Sequence, residues 1–187
     1  MTAPLLTLTD VSCRRGGRML FEGVSLVLAP GDAVLVTGPN GTGKSSLLRI
    51  AAGLLRPTAG LVGRAPRTAF ADERHALDEA APLSTALARW AAIDARPAAA
   101  LAIVGLEGLE PLPVRLLSTG QRRRAALARV LAGGADLWIL DEPDLGLDVD
   151  GVRLLGRLLA EHRAGGGAVL VATHGRLDLP DAQHLAL

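Results

Sequence analysis

Apolar and polar positions alternate over Thr7-Leu8-Thr9 and again over Val24 to Leu28, the period-two pattern of half-buried strands, and two glycines within Arg14 to Arg18 suit a turn between them. This predicts a small antiparallel β element. Ala33 to Thr37, Leu137 to Leu140 and Ala168 to Thr173 are short, continuous apolar runs, as expected of strands covered on both faces. Leu61 to Gly63 and Thr68 to Ala71 are shorter strand candidates. Between these runs, apolar residues recur at helical spacing over Lys44 to Ala52, Arg122 to Leu131 and Val149 to Arg163. Ser118, with Gln121 three positions on, has the form of a capping box opening the second of these helices. The stretch from Asp72 to Leu116 is rich in Ala and Leu, and Pro82, Pro97, Pro111 and Pro113 divide it into short helices. Strands alternating with helices predict an α/β fold, a mainly parallel sheet covered on both faces, and no repeat or long linker interrupts it.

Composition narrows the classes open to this pattern. A length of 187 residues fits one domain, and a hydrophobic share of 49% against 21% charged residues can offset the entropy of ordering. Mean hydropathy is +0.32, yet Gly, Pro or a charge interrupts every apolar stretch well short of the ~18 residues of a membrane span. The N-terminus lacks a basic leader followed by an apolar run, so the expectation is a cytoplasmic chain. The single Cys13 excludes an internal disulfide framework and is expected to be an inert, part-buried thiol; no Cys/His cluster has zinc spacing. A net charge of +1 gives no reason to expect nucleic acid, and the run Arg122-Arg123-Arg124 reads as a solvated helix face. Of the 20 basic residues only Lys44 is lysine, so its position is informative.

Lys44 belongs to Gly38-Pro39-Asn40-Gly41-Thr42-Gly43-Lys44-Ser45-Ser46, a glycine loop between a predicted strand and a predicted helix. Such a loop curls backbone N–H groups around phosphate oxygens at the positive end of a helix. Lys44 then supplies a point charge to the outer phosphates, and Ser45 a hydroxyl for Mg²⁺. Asp141 and Glu142 close the strand Leu137 to Leu140 at the edge where doubly wound sheets place ligands; Asp141 suits a magnesium ligand and Glu142 a general base. His174 follows the last apolar strand on the same edge. Leu117-Ser118-Thr119-Gly120-Gln121 offers a second anion site at a helix start. Two phosphate-binding devices in one chain suggest a nucleotide shared between two copies.

The phosphate loop, Leu117 to Gln121 ahead of Arg122 to Arg129, the strand ending in Asp141-Glu142-Pro143, then Gly146-Leu147-Asp148, and finally Ala172-Thr173-His174 occur in the order of ABC-type ATPase domains, and the chain resembles that family over nearly its whole length. Ser12 to Phe21, Pro113 to Gln121 and Leu137 to Pro143 look like the haem-exporter ATP-binding subunits of cytochrome c maturation. The resemblance implies a P-loop NTPase of the ABC ATPase type, one domain over residues 1–187, with a small antiparallel β subdomain and a short helical subdomain at about 72–117. It implies ATP and Mg²⁺ as cofactors, no other metal, hydrolysis to ADP and phosphate, and two copies closing head to tail. Each ATP would lie between one copy's phosphate loop and the other's Ser118, Gly120 and Gln121, with Asp148 across the seam and His174 at the γ-phosphate. It further implies integral membrane partners, a peripheral place on the cytoplasmic face, and release of a haem-loaded chaperone. Rival readings are a non-transport ABC ATPase and a slow ATP-dependent switch.

Three departures accompany the resemblance. Arg15 stands where family members carry an aromatic residue against adenine; a guanidinium plane can stack on a base, and weak base selectivity is expected. A Gln normally follows the strand at Thr68 to Ala71, but Asp72-Glu73 occupy its place, so slow basal hydrolysis is expected, raised by restoring Gln at one of the two. The spacing from Lys44 to Ser118 is short, and the deficit falls in the helical region where partners usually dock.

Overall fold

The computed structural model describes residues 3–72, 74–91, 97–174 and 177–187. Among the described residues, strands β1 (Leu6–Arg15) and β2 (Arg18–Leu28) form a hairpin turning at Gly16-Gly17. β3 (Ala33–Thr37) leads through the glycine loop into helix α1 (Lys44–Ala51), followed by β4 (Ala59–Arg64) and β5 (Thr68–Ala71). Helices α2 (Leu83–Ala88) and α3 (Pro97–Ile103) precede a single 3₁₀ turn at Val114–Leu116. Then come α4 (Thr119–Ala132), β6 (Leu137–Asp141), α5 (Val149–Ala164), β7 (Ala168–Ala172) and β8 (Gln183–Ala186). β2, β1 and β4 make an antiparallel sheet, while β5-β6-β7-β3-β8, in that spatial order, make a sheet that is parallel throughout.

The buried strands read as unbroken apolar runs because both faces are covered. On β3, Ala33 and Leu35 join the core beneath α4 and α5, while Val34 and Val36 join a second core with α1 and the antiparallel sheet. β6 divides likewise, Trp138 and Leu140 to the first core and Leu137 and Ile139 to the second, as does β7. α1 buries Leu47, Leu48 and Ile50 between the two sheets, so the helix that follows the glycine loop is held from both sides. The helical region contributes Leu83, Leu87, Leu101, Val104 and Leu106 to the first core. Among the described residues, no helix is long and apolar enough to cross a membrane.

Cys13 is fully buried on β1 rather than part-buried, and burial pushes its thiol pKa up, which suits an inert residue. β8 was not anticipated: Gln183-His184-Leu185-Ala186 is an edge strand with mostly exposed side chains, so no apolar run marks it, and only its ladder to β3 makes it a strand. The basic run is also not a solvated face. Arg122, Arg123 and Arg124 are all half-buried; Arg122 Nε donates to the Leu117 carbonyl at 3.0 Å and Arg124 pairs with Asp148.

Packing is tight where α5 meets β6. The His162 ring stacks on Trp138 with centroids 3.9 Å apart and lies directly over Gly167, where a Cβ would overlap it. A Cβ at Gly167 can be accommodated only by moving the imidazole off its stack on Trp138, so Gly167→Ala is expected to cost about 1–3 kcal/mol, as overpacking does. Thermal unfolding in parallel with the unmodified chain checks this, and an unchanged midpoint would show that the ring moves freely.

Candidate nucleotide site

The glycine loop has the conformation that its sequence requires. Gly38 and Gly43 have φ of +139° and +111°, in the region that favours glycine. A Cβ on Gly43 would sit 2.9 Å from Phe21 Cδ1 and 3.0 Å from Leu20 Cβ, and one on Gly38 would overlap the Leu187 carbonyl. The loop is therefore wedged between the hairpin and the β8 edge. α4 and α5 are capped by the side chains of Ser118 and Asp148, whereas α1 begins at Gly43 with no side-chain cap and no acidic residue in its first turn. Its first N–H groups are thus available to an anion at the positive end of the helix. Lys44 is buried and folds over the loop, its Nζ donating to the carbonyls of Gly38 at 2.7 Å and Pro39 at 3.0 Å. Thr42 Oγ1 donates to the Pro39 carbonyl at 3.0 Å, which closes the turn.

The parallel sheet aligns the ends of β3, β7 and β6 side by side, so residues far apart in sequence share one edge. A cavity of about 490 Å³ there is lined by Asn40, Gly41, Gly43, Lys44, Ser45 and Ser46 of the loop and first turn. Glu142 and His174 complete its polar wall, with Leu20 and Leu145 at the rim. His174 Nε2 lies 3.1 Å from Glu142 Oε1. Glu142 adopts φ +50°, a strained conformation for a non-glycine residue, while its N–H donates to the Ala172 carbonyl at 2.8 Å. Thr173 Oγ1 donates to Asp144 Oδ1 at 2.6 Å, both residues buried, which ties the Glu142 loop to the segment carrying His174. Burial pushes the Glu142 carboxyl above the usual carboxylate range; His174 opposes the rise, and Asp144 and Asp141 add to it. Asp141 is buried at the end of β6.

Ser118, Gly120, Gln121 and Asp148 line a separate cavity of about 260 Å³ with Gly105, Leu106, Arg124, Gly146 and Leu147. The capping box is formed in full: Gln121 N donates to Ser118 Oγ at 3.2 Å and Ser118 N to Gln121 Oε1 at 2.8 Å. Asp148 caps α5 by accepting from Gly151 N at 2.7 Å, and this bond, with Arg124 beside it, holds its carboxyl below the usual range.

The structure therefore brings Lys44, Ser45, Glu142 and His174 to one cavity and groups Ser118 to Gln121 with Asp148 at another. Arg15 is not brought in: it is exposed beside the hairpin turn and lines neither cavity, whereas Leu20 lines the first. Asp72 is not at the phosphate cavity either. Its carboxylate pairs with Arg49 of α1 at 3.3 Å and accepts from Arg74 N at 3.1 Å, so it is committed elsewhere; Glu73 lies outside the described residues. Asp144 and Thr173 escaped the sequence reading, since the only cue was that they flank Glu142 and His174, and their contact spans two loops.

Comparison with known proteins places this geometry. Residues 21–145, about two thirds of the chain, match the ABC transporter family. A solved structure described as the ATP binding subunit of an ABC transporter superposes with a TM-score of 0.84 at 26% identity, covering 91% of this chain and 80% of the other. The chain belongs to the ABC transporter family and is an ATPase subunit of that type, with its parallel sheet, antiparallel sheet and phosphate loop in place. Its relatives are more specific. The cytochrome c biogenesis ATP-binding export protein CcmA of Sphingopyxis alaskensis is 51% identical, covering 98% of this chain and 96% of that protein. The CcmA of Novosphingobium aromaticivorans is 52% identical, with coverage of 97% and 95%.

Proposed function

We propose that this chain, as one ABC ATPase domain with a helical subdomain at about 72–117, powers a haem-export step of cytochrome c maturation, with two copies closing over two ATP molecules. The observation that carries this reading is the pair of separate cavities: the one with Lys44 and Glu142 lacks Ser118 to Gln121, and the one with Ser118 to Gln121 lacks the phosphate loop. A second copy set head to tail supplies to each what it lacks.

In this reading the N–H groups of Gly41 to Ser46 and Lys44 hold the β and γ phosphates, with Asn40 at the loop tip. Lys44 must leave the Gly38 and Pro39 carbonyls to do so. Glu142 takes the proton of the attacking water, and its raised pKa makes it a stronger base than an ordinary carboxylate. His174, against Glu142, orients the γ-phosphate. The donor set fits Mg²⁺: a serine hydroxyl at Ser45 and a carboxylate at Asp141 are hard oxygen ligands, and this ion keeps few protein ligands beside phosphates and water. When bound, it would neutralise phosphate charge.

The pH profile follows from the raised carboxyl. The base works only when ionised, so turnover is expected to fall on the acid side through a pKa above that of an ordinary glutamate. His174→Ala moves that limb to higher pH, because the imidazole opposes the rise. Steady-state rates across pH check both; a limb at ordinary glutamate pH in the unmodified chain, unmoved by His174→Ala, contradicts the assignment.

A cavity of about 690 Å³ between β5 and the ends of α1, α2 and α4 supports a membrane partner on the cytoplasmic face. Leu54 and Trp90, at 64% and 44% exposure, both open onto this one hollow, so two large apolar side chains are presented together. Arg129 forms its floor, donating to the Phe70 carbonyl at 2.6 Å beneath the Trp90 ring. Co-purification with membrane subunits encoded beside the gene, and stimulation of ATP turnover by them, tests this; equal turnover with and without every such subunit contradicts it.

A further inference from the structure

We infer that Arg124 is a positioning residue for the nucleotide seam: its guanidinium neutralises Asp148 and fixes it relative to Ser118–Gln121, so that three chain segments meet a partner-held nucleotide as one face. This rests on the two-copy reading above. Arg124 Nη2 donates to Asp148 Oδ1 at 3.1 Å and lies 3.4 Å from Oδ2. Oδ1 is also the oxygen that caps α5, and a Cβ on Gly151 would stand 2.9 Å from it, so glycine leaves the carboxylate room to hold the cap and the guanidinium together. On its other side the guanidinium lies against Gly105 in the turn after α3, where a Cβ would be 3.4 Å from Nη1. Arg124 stands three residues beyond Gln121 on α4, so the helix fixes its distance from the capping box. One side chain thus touches the helical region, the α4 N-terminus and the loop before α5, and these three supply the lining of the smaller cavity.

The electrostatics explain why such a tie is needed. A carboxylate lining a cavity meant for phosphate repels it unless a cation stands beside it. Among the described residues, Arg124 is the cation that pairs with Asp148: Arg122 is turned to Leu117. An ion pair this exposed adds little to folding stability, so its effect falls on the charge and aim of Asp148.

The test is a double-mutant cycle in the Glu142→Gln chain, reading the ATP concentration that drives dimerisation by sedimentation. Arg124→Ala is expected to raise that concentration about tenfold when Asp148 is intact, within the range of coupled charge networks. Asp148→Asn keeps the helix cap while removing the charge. In that background Arg124→Ala is expected to cost less than about twofold, the repulsion it unmasks being gone. Arg124→Gln, which keeps the aliphatic stem and a helix-forming residue, serves as the second variant and must behave alike. ADP binding, which needs one copy only, stays unchanged throughout. Equal costs with and without the Asp148→Asn substitution, or a dimer in the parent that neither Arg124 variant affects, overturns this inference alone. No dimer in the parent at any ATP concentration overturns the two-copy reading and this inference with it.

Discussion

Glu142→Gln is expected to lower ATP turnover by at least about 10²-fold while leaving nucleotide affinity within a factor of two or so, the pattern of a lost general base. Gln keeps the size of Glu142 and can still meet His174, but it cannot accept a proton from water. The same substitution is expected to stabilise the fold at neutral pH. Burial raises the folded-state pKa of Glu142, so the folded protein holds the protonated form more readily than the unfolded chain does. The penalty for ionising it is absent below the unfolded pKa and present in full above the folded one. The gain in melting temperature on replacing it with Gln therefore shrinks as pH falls toward the ordinary glutamate range. Steady-state turnover and melting curves at two pH values test both halves; a variant that still turns over rapidly would remove Glu142 from the chemistry.

Lys44→Ala is expected to weaken ATP binding by roughly 10–100-fold, the loss of charge-assisted hydrogen bonds worth about 1.5–3 kcal/mol. ADP, which lacks the γ-phosphate, should lose less. Lys44 is buried with its ammonium group against two carbonyls of its own loop, so removing it also takes a brace from Gly38 and Pro39. Lys44→Arg is not a rescue: the planar guanidinium cannot enter a space shaped for a compact ammonium. Calorimetric titration with both nucleotides separates the two effects. Equal affinity for ATP in the variant would mean that the loop's N–H groups suffice and that Lys44 serves only the loop.

The parts of this molecule that sequence reveals are those with local causes. Three glycines, a lysine and two serines at fixed spacing specify a backbone path, and that path is present. Continuous apolar runs over Ala33 to Thr37, Leu137 to Leu140 and Ala168 to Thr173 specify doubly covered strands, because each run divides between two cores. The Ser118–Gln121 capping box lies within a single helical turn and forms as its spacing predicts. What sequence leaves hidden depends on partners distant along the chain. Asp72 is turned from the cavity by Arg49 of α1, which no local pattern announces, and Arg15 is exposed beside the hairpin turn and is not among the residues lining the cavity, whereas Leu20 is. The three consecutive arginines read as a solvated face because the anchors of Arg122 and Arg124, the Leu117 carbonyl and the Asp148 carboxylate, lie outside α4. Thr173 and Asp144 are ordinary in sequence, and the sheet alone brings them into contact.

If two copies of the chain complete each nucleotide site, native mass spectrometry of Glu142→Gln with ATP and Mg²⁺ reads the assembly and its nucleotide content together. The expected species has twice the 19.3 kDa chain mass and carries two nucleotides; it is absent with ADP and abolished by adding Ser118→Arg, which blocks the second cavity without touching the phosphate loop. A species that stays monomeric with one ATP bound at every concentration would contradict the two-copy site.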